Sequence, residues 1–205
     1  MKNRKLAFAA VLAVAFGFGG VAEAITVVDI GTGVPPGTLG PFVVDPAGDD
    51  ARPVINDVSF VSTPLGDITF DIDLSHREIG DGWATWSHGY AGDVYYTNGA
   101  LSVVLTLPAG MQAFYFYAEP NPFAQFVITA IANDGSGLIK NIDGDGGATG
   151  YGFYDATGIA SITVSSSVDF AIGEFGFATP ASVPEPGTAL LLGLGLAAVG
   201  LRRRS

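Results

Sequence analysis

Residues 67–74 alternate without a break, with Ile68, Phe70, Ile72 and Leu74 on one side and Asp67, Thr69, Asp71 and Asp73 on the other. A period of two over eight residues defines a β-strand with one dry face and one wet face. The period returns at residues 100–107, which places Leu101, Val103, Leu105 and Leu107 inward and Ser102 and Thr106 outward. Residues 113–117, Ala-Phe-Tyr-Phe-Tyr, are apolar on both faces and read as a central strand. Further strands are expected at 25–30, 54–61, 123–132, 138–142, 150–154, 159–165 and 170–178, separated by Gly-, Pro- and Asp-rich turns such as Asn133-Asp-Gly-Ser-Gly137. Apolar residues nowhere recur convincingly at helical spacing between 25 and 180, and no period of 20 to 50 residues repeats. The fold class predicted is all-β, a single β-sandwich over residues 25–180.

The two ends follow different rules. Met1-Lys-Asn-Arg-Lys5 is basic, residues 6–18 are apolar, and Ala22-Glu23-Ala24 is a small-x-small site. That order predicts a secretory signal peptide over residues 1–24, cut before Ile25. At the other end Val183-Pro184-Glu185-Pro186-Gly187 precedes an apolar run at 188–201 and then Arg202-Arg203-Arg204-Ser205. The prolines hold residues 184–186 extended, because each fixes its own φ and disfavours helix in the residue before it. As a helix the run spans roughly 21 Å against about 30 Å of hydrocarbon, which suits a transient anchor. Three arginines behind it would stay cytoplasmic and leave the rest of the chain on the far side.

Pro-Glu-Pro, a short Leu/Gly/Ala helix and an Arg cluster together resemble the PEP-CTERM sorting signal of exported bacterial proteins. The resemblance implies that a membrane-embedded exosortase recognises residues 183–205 and cuts at or near Pro184-Glu185-Pro186. The body would then pass to the cell envelope, biofilm matrix or medium. Residues 114–177 also resemble the jelly-roll-like domain of many such proteins, through Ile128-Thr-Ala-Ile-Ala-Asn-Asp-Gly135, Gly152-Phe-Tyr154, Ile159-Ala-Ser-Ile-Thr-Val164 and Ala171-Ile-Gly-Glu-Phe-Gly-Phe177. A jelly-roll-like sandwich is what that second resemblance implies.

Composition narrows the chemistry. The chain has no cysteine, so an exported body must hold without disulfides, and a thiol nucleophile or thiolate metal site is excluded. Formal net charge is −11, and six of the nine basic residues belong to the targeting ends. The body retains only Arg52, Arg77 and Lys140 among its cations. Nucleic acid and anionic lipid are therefore not expected as electrostatic partners of the body.

Three constellations could carry chemistry. Residues 80–96 hold both tryptophans, His88 and several tyrosines among glycines. Trp83, Trp86 and Tyr90 could form a sugar platform with His88 and Asp93 bonding hydroxyls, or the rings could simply fill the core. Asn141-Ile-Asp143-Gly-Asp145-Gly146 starts like a calcium loop at positions one, three, five and six, but position twelve is Gly152 instead of glutamate. It serves equally as a plain turn. The third is catalytic: Ser87 and His88 are adjacent and would diverge on an extended backbone, and two histidines do not make a three-histidine zinc site. A carboxylate pair drawn from Glu78, Glu119, Glu174 and the aspartates depends on spacing that only a structure gives. The expectation is a non-enzymatic structural or adhesive surface protein. Binding of exopolysaccharide is the alternative, and hydrolysis of a glycan a distant one.

Overall fold

The computed structural model describes residues 24–178 of the 205-residue chain. Residues 1–23 of the predicted signal peptide and the whole segment 183–205 lie outside the described residues, and so do Pro184, Glu185, Pro186, Arg202, Arg203 and Arg204.

Fifteen strands and no helix make up the described part. They are β1 (Thr26–Gly31), β2 (Thr38–Leu39), β3 (Phe42–Val43), β4 (Asp45–Pro46), β5 (Asp57–Thr63), β6 (Gly66–Ile79), β7 (Gly82–Trp83) and β8 (Asp93–Tyr96). Then come β9 (Ser102–Thr106), β10 (Ala113–Pro120), β11 (Gln125–Ala132), β12 (Gly137–Asp143), β13 (Thr149–Tyr154), β14 (Ser161–Ser166) and β15 (Phe170–Ala178). One large sheet runs β1-β13-β10-β15-β8-β6-β9-β14-β11-β12, with β5 and β7 against β6 and β4 against β15. All of its pairings are antiparallel except β6–β7.

The alternation at 67–74 is the hinge of this arrangement. Ile68, Phe70 and Leu74 are buried while Asp67, Thr69, Asp71 and Asp73 are exposed. The strand continues past Leu74 to Ile79, so its first part pairs with β9 at Thr69 and Phe70, and its later part with β8 at Ser75, His76 and Arg77. One long strand thereby passes from one half of the sheet to the other. The halves face each other across a core in which Phe114, Phe116, Tyr151, Phe153, Phe170 and Phe177 meet Val58, Ile68, Leu105, Ile128, Ile162 and Val164. Tyr151 of β13 donates its hydroxyl to the Ile128 carbonyl of β11, 3.0 Å away, a buried bond from one half to the other.

Strand β10 is central, between β13 and β15, and every residue in it is buried. Phe114, Phe116 and Ala118 face the main core, whereas Ala113, Tyr115 and Tyr117 face a second apolar cluster on the outer side. Glycines on the neighbouring strands make room for those outer rings. A Cβ on Gly176 of β15 would stand 2.1 Å from the Tyr115 ring, and one on Gly150 of β13 would stand 2.7 Å from the Tyr117 ring. The sequence alternation misplaces one residue: Leu101 lies just before β9 and is exposed, while Val103, Leu105 and Leu107 are buried.

Candidate functional site

The outer cluster is roofed by residues 82–96, the aromatic- and glycine-rich stretch. Trp83 and Trp86 turn inward at 8% exposure each, against Tyr115, Tyr117, Ala171 and Ala178. They do not form a surface platform. An indole that is buried needs a partner for its N–H, and each finds a glutamate on the sheet below. Trp83 Nε1 donates to Glu119 Oε2 at 2.8 Å, and Trp86 Nε1 donates to Glu174 Oε2 at 3.0 Å.

Glu119, near the end of β10, is fully buried and also accepts the Gly146 amide at 3.0 Å and the Thr85 hydroxyl at 3.3 Å. Burial outweighs these bonds and pushes its carboxyl up to about 7. Glu174 sits where the β10–β15 register slips between Tyr115 and Tyr117, a bulge that leaves it at φ 51°. Its Oε1 accepts from His88 Nε2 at 2.7 Å. Burial raises this carboxyl as well, against the bonds from His88 and Trp86.

His88 is likewise left-handed, at φ 42°. That conformation overturns the expectation that Ser87 and His88 diverge: the ring turns back and Nδ1 lies 2.9 Å from Ser87 Oγ. The result is a Ser87–His88–Glu174 chain of hydrogen bonds. Ser87 is only 3% exposed, so its hydroxyl is held inside the roof. The chain of bonds fastens the roof to β15. Two non-glycine residues in left-handed conformations are bonded to each other here, so this contact holds backbone strain.

Asp93 belongs to a second buried network. His76 is fully buried; its Nε2 is 2.7 Å from Asp93 Oδ1, and its ring stacks on Tyr95 at 5.6 Å. Asp93 Oδ2 accepts the Asp50 amide at 2.7 Å, and Asp50 in turn pairs with Arg52 and accepts the Tyr95 hydroxyl at 3.0 Å. Burial opposes ionisation of Asp50, yet the bonds from Arg52 and Tyr95 hold its carboxyl at about 2. Tyr90, half-buried, donates to the Asp93 carbonyl at 3.0 Å. Of the five residues expected to form a ligand surface, Trp86 and His88 therefore meet on Glu174, Tyr90 and Asp93 meet each other, and Trp83 stands apart on Glu119.

Beside the second network lies a concavity of about 390 Å³, lined by residues 48–52 and 60–62. Within it the Arg52 guanidinium lies over the partly exposed Phe60 ring at 5.0 Å. Glu119 and Glu174, named from the sequence only as candidates for a carboxylate pair, act instead as the acceptors of the two indoles, and each carries a signal for it: a single carboxylate within an otherwise apolar strand.

Of the calcium candidates, Asn141 and Asp143 lie in the last part of β12 and Asp145 in the turn that follows it. Asp143 Oδ1 accepts the Asp145 amide at 3.1 Å, and Asn141 bonds across to Gln125 at 2.9 Å. Among the described residues no three His, Cys, Asp or Glu side chains are grouped to hold a metal.

The described body is all-β, which sets the class of its fold. The family described as the PEP-CTERM protein-sorting motif matches residues 182–204. This chain therefore bears a PEP-CTERM signal, which implies export, transient membrane anchoring and processing by an exosortase. No curated protein matches the chain. Among solved structures it is similar to the N-terminal CBM22-1–GH10 modules of Clostridium thermocellum endo-1,4-β-D-xylanase 10B complexed with xylohexaose. Identity there is 12% and the TM-score 0.33, with 54% of this chain and 25% of that one covered. The matched part is thus about a quarter of that structure's length.

Proposed function

We propose that the body, over residues 25–180, is a structural or adhesive component of the cell envelope or biofilm matrix. It would be released there when an exosortase cuts at or near Pro184-Glu185-Pro186. The observation that carries this reading is the sorting motif at 182–204. The jelly-roll description belongs to the same proposal, supported by two sheet halves facing across one core and joined through β6. The absence of a catalytic role is also part of it, because the buried polar groups of the roof are spent on one another. Binding of exopolysaccharide is the second reading, and the concavity at residues 48–52 and 60–62 favours it, with an aromatic ring, an arginine and the Asp49 carboxylate at one opening.

Glu185 offers a carboxylate between two rigid prolines. Glu185→Ala is expected to leave export intact and to block removal of the tail in an exosortase-positive host. Size and fractionation of the body check this. Equal full-length, membrane-bound protein from wild type and variant, in that host and in its exosortase knockout, would make the segment an ordinary anchor.

A further inference from the structure

Strands β1 and β12 are the two ends of the strand order, and the curl of the sheet brings them side by side without a ladder between them. Polar contacts close this seam. Lys140 of β12 pairs with Asp29 of β1. At the end of the seam, the Ile25 nitrogen donates to Asp134 Oδ2 at 2.8 Å. Both groups are fixed in place. The Ile25 side chain is buried in the main core at 6% exposure, and Thr26 immediately joins the ladder with Tyr154. Asp134 lies in the β11–β12 turn, where its Oδ1 accepts the Ser136 amide at 2.9 Å and its Oδ2 the Ser136 hydroxyl at 2.8 Å.

Ile25 is also the residue that the Ala22-Glu23-Ala24 pattern makes the first of the exported protein. While the leader is attached, the Ile25 nitrogen is a neutral amide with one proton to give. Hydrolysis of the Ala24–Ile25 bond adds water across it: Ala24 leaves as a carboxylate, and Ile25 gains an α-ammonium with three donors. We infer that leader removal creates an ion pair between the Ile25 α-ammonium and Asp134, so that processing itself locks the β1–β12 seam. Charge-assisted bonds are shorter and stronger than neutral ones, and the acceptor is already oriented. The order of events follows: the bond is cut on the extended chain, and the lock forms as the body folds around Ile25. This inference rests on the export reading above for its cut site, but the lock itself depends only on which atom precedes Ile25.

The experiment compares two versions of the chain running to Ser205 in mild detergent. One is released from a cleavable fusion to begin at Ile25, and the other keeps Glu23 and Ala24 ahead of it. Asp134→Asn is made in both. In the Ile25 version the substitution should reduce the folding equilibrium constant about two- to fivefold more than in the extended version, as expected for an exposed ion pair. The excess should fade in about 1 M salt. By linkage the Ile25 α-amino group should titrate about 0.3 to 0.7 above its ordinary value of roughly 7.7–8.0, and return to that value in Asp134→Asn. Equal losses in both versions, or an unshifted α-amino group, would overturn the lock. N-terminal sequencing of the protein from its native host separates the two ideas: a start other than Ile25 refutes the cut site, and with it the physiological role of the lock.

Discussion

The two faces of β10 bury their aromatic rings by different means. On the inner face Phe114 and Phe116 stack among Tyr151, Phe153 and Phe175, and carbon against carbon is nearly the whole of the contact. On the outer face Tyr115 and Tyr117 lie under two indoles whose N–H groups end on Glu119 and Glu174. The inner core is non-directional and indifferent to pH. The outer layer is directional: each ring has one place to sit because each donor has one carboxylate to reach, and the carboxylates are costly to keep ionised there. The difference teaches that an aromatic-rich segment is not by itself a binding surface. Here it becomes a roof because the sheet beneath it supplies acceptors.

Breaking the inner face should cost most. Phe116 is fully buried between Phe114, Tyr151 and Phe153. Phe116→Ala should therefore destabilise the fold by about 3–5 kcal/mol, read as a fall in the denaturant midpoint at unchanged slope.

The outer face should respond to pH where the inner does not. Glu119 has its folded carboxyl raised from 4.5 to about 7. Below 4.5 it is protonated both folded and unfolded, and its contribution is fully present. As pH rises from 4.5 to about 7 the unfolded chain gives up the proton first, so stability falls. A tenfold change in proton affinity is worth about 1.4 kcal/mol, which makes the loss as much as about 3 kcal/mol. Glu174, raised in the same direction, adds to it. Asp50 has the opposite sign: held at about 2, its contribution is present above its ordinary 3.8 and lost as pH falls towards 2. Denaturation midpoints measured from pH 3 to pH 8 should thus peak near 4, and Glu119→Gln should flatten the upper limb. A wild-type limb level between 4.5 and 7 would refute the cost assigned to Glu119.

A smaller effect sharpens the contrast. Trp86→Phe keeps an apolar ring in the roof but removes the donor to Glu174 Oε2. A loss of about 1–2 kcal/mol is expected from one orphaned acceptor. The near-UV circular dichroism of the remaining Trp83 should persist. Collapse of that signal would mean that the two indoles are held as a unit and not through separate carboxylates.

Much of this was legible in the sequence and some was not, for physical reasons. Period-two alternation at 67–74 and the doubly apolar run at 113–117 place β6 and β10 correctly, because side-chain alternation is a property of the strand itself. β8 was not read as a strand, since Asp93-Val-Tyr-Tyr96 is short and sits inside a glycine-rich stretch whose composition signals loop. The inward turn of Trp83 and Trp86 was one of two open readings, and deciding it required Glu119 and Glu174, which lie 36 and 88 residues further on. The Ser87–His88 contact was missed because it depends on a left-handed residue that is not glycine. The pair Asp143 and Asp145 reads alike as ligand or turn, because the same oxygens serve either; in the structure Asp143 Oδ1 accepts the Asp145 amide.

The central claim is that this β body is made to be exported and cut from its own tail. The most direct test is the intact mass of the protein recovered from the envelope and medium of an exosortase-positive host. The account predicts a species that starts at Ile25, ends at or near Pro184-Glu185-Pro186 and lacks residues 188–205. A species that still carries the run at 188–201 and Arg202-Arg203-Arg204, in the same amount as in the exosortase knockout, would contradict it.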